Sequence, residues 1–89
     1  MSAAITVRVP PALHSYTRRA QVQARGDTLL ALFDDLDRQF PGLRFRVVDE
    51  HGRLRPNMRL FVSGLGVRDL GHPLRGGDEV AIVLALSGG

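Results

Sequence analysis

Five apolar residues, Leu29, Leu32, Phe33, Leu36 and Phe40, recur at offsets 0, 3, 4, 7 and 11, which is one stripe of an α-helix. Gly26-Asp27-Thr28 opens the helix, and Asp27 or Thr28 can accept from the free N–H groups of its first turn. Pro41-Gly42 stops it. The opposite face carries Asp34, Asp35, Asp37, Arg38 and Gln39, with Asp34 and Arg38 spaced i, i+4 for a weak pair. The recognisable apolar patterning elsewhere has a period of two, so the fold must lay strands against this one helix.

The strands are read in order. Ile5, Val7 and Val9 alternate with Thr6 and Arg8 until Pro10-Pro11 ends the run, and residues 12–17 are a connection. Ala20, Val22 and Ala24 alternate with Gln21, Gln23 and Arg25, so the first two strands form a hairpin with a long turn. After the helix, residues 43–57 read as irregular, with Leu43, Phe45 and Val47 or Val48 tucked under. Residues 58–62 are a strand ending at Ser63-Gly64, and Val67 begins a short edge segment. Leu70 and Leu74 anchor a loop, and residues 75–78 turn into the last strand, 79–84. The economical packing sets the first and last strands side by side at the centre with the helix over one face. That is an α+β fold of the β-grasp, or ubiquitin-like, kind: a mixed sheet of four to five strands packed on one main helix. Residues 1–84 form the domain and 85–89 a flexible tail.

At 89 residues the chain is expected to be a single domain. Without cysteine it has no disulfide, thiolate metal site or thiol nucleophile. The first residues lack a secretory signal and no apolar run reaches membrane-spanning length, so a cytoplasmic protein with no membrane partner is expected. The formal charge is +3, and all 12 basic residues are arginine. They are scattered and poorly interleaved with aromatics, so nucleic acid is not an expected partner. The absence of lysine leaves no side-chain amine to react with an activated terminus of the same chain.

The period of two also assigns the wet face of the sheet. With Leu60 and Val62 turned to the helix, Phe61 points out. With Val80, Ile82 and Leu84 turned in, Ala81, Val83 and Ala85 point out. Phe61 and Val83 should therefore form an exposed apolar patch near the root of the tail, a docking surface. Arg59, Arg68 and Arg75 lie on segments expected near it and are candidates for steering an acidic partner. Past the patch run Leu86, Ser87, Gly88 and Gly89. Two glycines let an extended backbone enter a narrow channel and leave the terminal carboxyl carbon unguarded.

These pieces together resemble the small ubiquitin-like sulfur carriers: the molybdopterin synthase small subunit and the thiamine-pathway and cysteine-pathway carriers. The resemblance rests on Gly26-Asp27-Thr28-Leu29, Phe40-Pro41-Gly42-Leu43, residues 54–62 (LRPNMRLFV), residues 73–80 (PLRGGDEV) and the terminal Gly88-Gly89. It covers nearly the whole chain. The sequence departs from the family pattern at Ser63, where asparagine is common, near Leu84, where proline is common, and at Ser87, where alanine is common. The resemblance implies that a ubiquitin-activating-type adenylyltransferase uses ATP and Mg²⁺ to adenylate Gly89, and that sulfide or a persulfide displaces AMP. The resulting thiocarboxylate gives its sulfur to an acceptor synthase, in the making of a cofactor, cysteine or a sulfur-containing metabolite. The carrier itself is then a co-substrate without catalytic machinery or bound cofactor. Gly89 with Gly88 is the reactive end, and Phe61, Val83, Ala81, Ala85, Leu86, Ser87 and Arg59 meet partners. Two other readings stay open: a protein modifier conjugated to lysines through Gly89, and a non-reactive β-grasp interaction domain.

Other chemistry finds little support. His14, His51 and His72 lie far apart without metal-ligand spacing. Asp34, Asp35 and Asp37 read as a solvated helix face. Gly64-Leu65-Gly66 precedes an edge segment and not a helix, which removes the dinucleotide reading. Ser63 lacks the flanking glycine of a nucleophile elbow. Gly76 and Gly77 read as turn residues.

Overall fold

Val7 and Val80, both fully buried, stand opposite each other in a parallel strand pair at the centre of a five-stranded sheet. The computed structural model describes residues 4–85. Its strands are β1 (Ile5–Arg8), β2 (Gln21–Ala24), β3 (Met58–Val62), β4 (Leu65–Val67) and β5 (Glu79–Leu84). They lie in the order β2-β1-β5-β3-β4. The β1–β5 pair is parallel and the other three pairs are antiparallel. A parallel neighbour needs a long crossover, and the helix supplies part of it.

That helix, α2 (Leu29–Gln39), lies over one face of the sheet. Leu29, Leu32, Phe33 and Leu36 are fully buried in one core with Ile5, Val22, Leu60 and Ile82, and Phe40 packs on its margin. The helix start shows where the free N–H groups of a first turn go. Leu29 N donates to His72 O (3.1 Å), Leu30 N to Leu70 O (2.9 Å), and Ala31 N to Oγ1 of Thr28, the N-cap (3.2 Å). In return Leu74 N donates to Asp27 O (2.8 Å). The loop anchored by buried Leu70 and Leu74 is therefore bonded to the helix and fixes the approach to β5.

Five expectations are corrected. Residues 12–17 are not a plain connection: a 3-10 turn (Pro11–Leu13) runs into the one-turn helix α1 (His14–Thr17), closed by Arg18 at φ 59°. Within the segment read as irregular lies α3 (Leu43–Val47). The Asp37 carboxylate accepts from Gly42 N (3.1 Å) and Arg44 N (3.2 Å) and so satisfies its start. Leu43, Val47 and Val48 are buried, but Phe45 is 57% exposed, because a helix this short has only one inward face. The edge strand β4 begins at Leu65 and not at Val67, where it ends, because Ser63-Gly64 (φ 46° and 89°) reverses the chain in two residues and sets Leu65 opposite Val62. Arg38 pairs with Asp35 (3.3 Å), one residue nearer than Asp34, which faces Arg44 instead (3.1 Å). Arg44 Nε is not aimed to form a hydrogen bond there.

Candidate functional site: the outer sheet face and the root of the tail

The uncovered face of the sheet has a polar half and an apolar half. On β2 and β1 it shows Gln21, Gln23, Thr6 and Arg8; Gln23 Nε2 donates to Thr6 Oγ1 (3.0 Å) and Arg8 Nε to Glu79 Oε1 (2.7 Å). The carboxylate of Glu79 raises the pKa of the Arg8 guanidinium, first through that hydrogen bond and then through its charge. Beyond this pair the face turns apolar. Phe61 stands opposite Ala81, and Arg59 opposite Val83. Phe61 is 37% and Val83 41% exposed, and Ala81 and Ala85 are half-buried. On the other side of Phe61 is Gly66 of β4. A Cβ there would stand 3.6 Å from the ring, so the phenyl group covers the bare edge glycine.

The expected patch is therefore present in its described part, with Val83 one pair nearer the chain exit than Ala81. Arg59 does not project over it: its Nη1 donates to Pro56 O (2.7 Å) and Met58 O (2.9 Å), which holds the charge at the exit end. Leu86, Ser87, Gly88 and Gly89 lie outside the described residues; Ala85 precedes them, its N–H donating to Asn57 O (2.8 Å). Arg68 and Arg75 are not beside the patch. Arg68 borders a separate hollow with Gly52, Arg53 and Leu70, and Arg75 sits in the turn at the far end of the sheet. There Asp78 accepts from Arg75 N (2.8 Å) and Ser63 Oγ (2.9 Å), which hold its carboxyl below the usual range, the Arg75 N–H most strongly.

One feature escaped the sequence reading. At the exit end a cleft of about 370 Å³ opens between α3, the 3-10 turn and the sheet. Leu13, Met58 and Leu84 line it, with Phe45, Arg46 and Arg55. The Arg55 guanidinium carbon stands 4.4 Å from the Phe45 ring centroid, and its Nε donates to Phe45 O (2.7 Å). The available signal was Phe45 itself, a large apolar side chain between Arg44 and Arg46 and off the helix stripe.

The remaining candidates are structural. His14 Nε2 lies 2.9 Å from Val9 O, and the three aspartates of α2 serve the chain's own N–H groups and arginines. Asp35 is held below the usual carboxylate range, chiefly by the N–H of Arg25. Among the described residues no group of three or more His, Cys, Asp or Glu could hold a metal ion, and no helix is long and apolar enough to cross a membrane.

This sheet order on one main helix, with an outer face left open among the described residues, defines a ubiquitin-like β-grasp protein. The ThiS family matches residues 7–89, and the chain belongs to that family. It is 33% identical over 91 residues to the sulfur carrier protein CysO of Mycobacterium tuberculosis, a match spanning 96% of this chain and 98% of the relative. Among solved structures, the Amycolatopsis orientalis BexX/CysO complex contains a chain with TM-score 0.89 and 31% identity, covering 97% of this chain and 100% of that one. The crystal structure of Mycobacterium tuberculosis CysO gives TM-score 0.87 and 32% identity, covering 92% and 99%. The archaeal modifier protein SAMP1 of Haloferax volcanii, at TM-score 0.81 and 24% identity, shares the fold.

Proposed function

We propose that this chain carries sulfur as a thiocarboxylate on Gly89 and that the outer sheet face docks it on its partners. The observation that carries this reading is the continuity of the apolar face with the chain exit: Phe61, Ala81 and Val83 lead to Ala85, after which the tail begins. The likeness to CysO along nearly the whole chain supports it.

The chemistry divides between carrier and partner. On an adenylating enzyme, which supplies ATP and Mg²⁺, the Gly89 carboxylate oxygen attacks the α-phosphorus and pyrophosphate leaves. Hydrosulfide then adds to the acyl carbon, AMP departs with the C–O bonding pair, and loss of the S–H proton leaves the thiocarboxylate. A second enzyme, the acceptor synthase, presents the electrophile that this sulfur attacks. The carrier contributes a docking face, an unhindered terminus and no general base, so it acts as a co-substrate. A chain without lysine also cannot consume its own adenylate on a side-chain amine. Conjugation to a target lysine would share the adenylate and differ in the nucleophile.

The test is intact mass after incubation with ATP, a sulfide donor and the cognate activating enzyme. The expected gain equals exchange of one oxygen for sulfur, absent when Gly89 is deleted. No gain with an enzyme of proven competence would remove the carrier reading.

A further inference from the structure

The tail-root cleft contains two arginines and no acidic lining residue. Arg46 is exposed and makes no ion pair among the described residues. Arg55 is stacked on Phe45 and its Nε is committed to a main-chain carbonyl, so its Nη atoms remain for a carboxylate. A guanidinium held this way gives up little freedom when it binds. Asp49 feels the Arg55 charge only weakly beside its main-chain hydrogen bonds, in which Oδ1 accepts from the N–H groups of Arg53 and His51, and the two side chains form no ion pair among the described residues. Below the arginines, Leu13 and Met58 are buried and Leu84 is half-buried, an apolar floor beside a positive wall.

The position of the cleft selects its occupant. Leu84 lines it, and the next residue, Ala85, begins the path to the tail. Gly89 follows Ala85 by four positions, so the reacting carboxyl lies at most roughly 14 Å beyond it. An enzyme that encloses the carboxyl must bring its surface against the exit end of the sheet. We propose that the cleft receives an acidic segment from the rim of the adenylating enzyme's tail channel. Its carboxylate sits against Arg46 and Arg55, and a neighbouring apolar side chain rests on half-buried Leu84 beside the exposed Phe45. This rests on the tail-activation reading above and adds a second contact, on the α3 side of the exit.

The test compares Arg46→Glu and Arg55→Gln with Arg75→Glu, at the opposite end of the sheet, in activation of the full chain by its cognate enzyme. Arg46→Glu should raise KM about tenfold with kcat within about twofold and a weaker salt dependence, while Arg75→Glu stays at the wild-type value. Melting temperatures of all variants guard against unfolding. Equal KM for Arg46→Glu and Arg75→Glu would overturn the proposal and leave tail activation standing. A wild-type chain that is never activated would remove the functional reading instead. The cleft is then decided by NMR titration with a synthetic peptide of alternating leucine and glutamate. Shifts at Phe45, Arg46, Arg55 and Leu84 that vanish in Arg46→Glu support it; no shifts, or the same shifts with inorganic phosphate alone, refute it.

Discussion

Replacing Gly26 with alanine should be more damaging than any glycine substitution at a left-handed turn of this chain. A Cβ at Gly26 would collide with Leu32 N and stand 2.8 Å from both Ala31 C and Leu32 Cα. All three are backbone atoms, so no side-chain rotation relieves the clash. Leu32 N already donates to Thr28 O (2.9 Å), and the N–H groups before it are bonded to the 70–72 loop and to the Thr28 hydroxyl. Relief must move the β2–α2 joint away from the helix and loosen the Thr28 cap. Overpacking of this kind costs about 1–3 kcal/mol and loss of a cap about 1 kcal/mol, together about 2–4 kcal/mol. A domain of this size has roughly 4–13 kcal/mol in total and loses about 4–8 °C per kcal/mol, so the melting temperature should fall by roughly 8–30 °C. Gly52→Ala is the control: its φ is +74° and no atom lies within 4 Å of the added Cβ. Its cost is the left-handed backbone alone, about 1–2 kcal/mol. Calorimetric melting of both variants decides the matter. A Gly26→Ala protein that melts at or above Gly52→Ala would refute the close-approach argument.

Other perturbations separate the face from the fold. Phe61→Asp and Val83→Asp should leave the melting temperature within a few degrees of wild type and raise KM for activation at least about tenfold, because each places a charge in an apolar docking surface; unchanged KM would remove that surface from the function. Thr28→Ala should cost about 1 kcal/mol, read as a melting shift of about 4–8 °C. Asp78 has its pKa depressed in the folded state, so its stabilisation is complete above the unfolded value of about 4 and is lost as pH falls through the folded value. Asp78→Asn should consequently lose less stability than wild type on acidification below about pH 4, measured by urea unfolding at several pH values.

The parts of this molecule that could be read from the sequence are those set by a repeating period. The helix stripe and the alternation in β1, β2, β3 and β5 each repeat often enough to assign an inner and an outer face. That assignment alone placed Phe61 and Val83 on the open side. The turn at Ser63-Gly64 shows where periodicity ends. Both residues have positive φ, a conformation that favours asparagine at the first position, and the chain has serine. Its backbone is held by contacts that local sequence does not reveal: Ser63 N donates to Glu79 O (2.7 Å), and Ser63 Oγ reaches Asp78, fifteen positions on (2.9 Å).

The same limit hid α3 and the cleft. A helix from Leu43 to Val47 is little more than one turn and produces no stripe, and its start is satisfied by Asp37 from the preceding helix. Phe45 is out in solvent because Leu43 and Val47 occupy the inner side of that turn, and Arg55, ten positions on, folds back over its ring. The sequence-readable contact surface therefore covers only the sheet side of the chain exit. The α3 side is assembled from short segments joined by long-range bonds. Charge reversal at Arg46 and a charge introduced at Phe61 probe opposite sides of one exit. If both surround the tail in a single enzyme complex, with the two sites sharing no side-chain contact in the free chain, their effects on KM should combine multiplicatively.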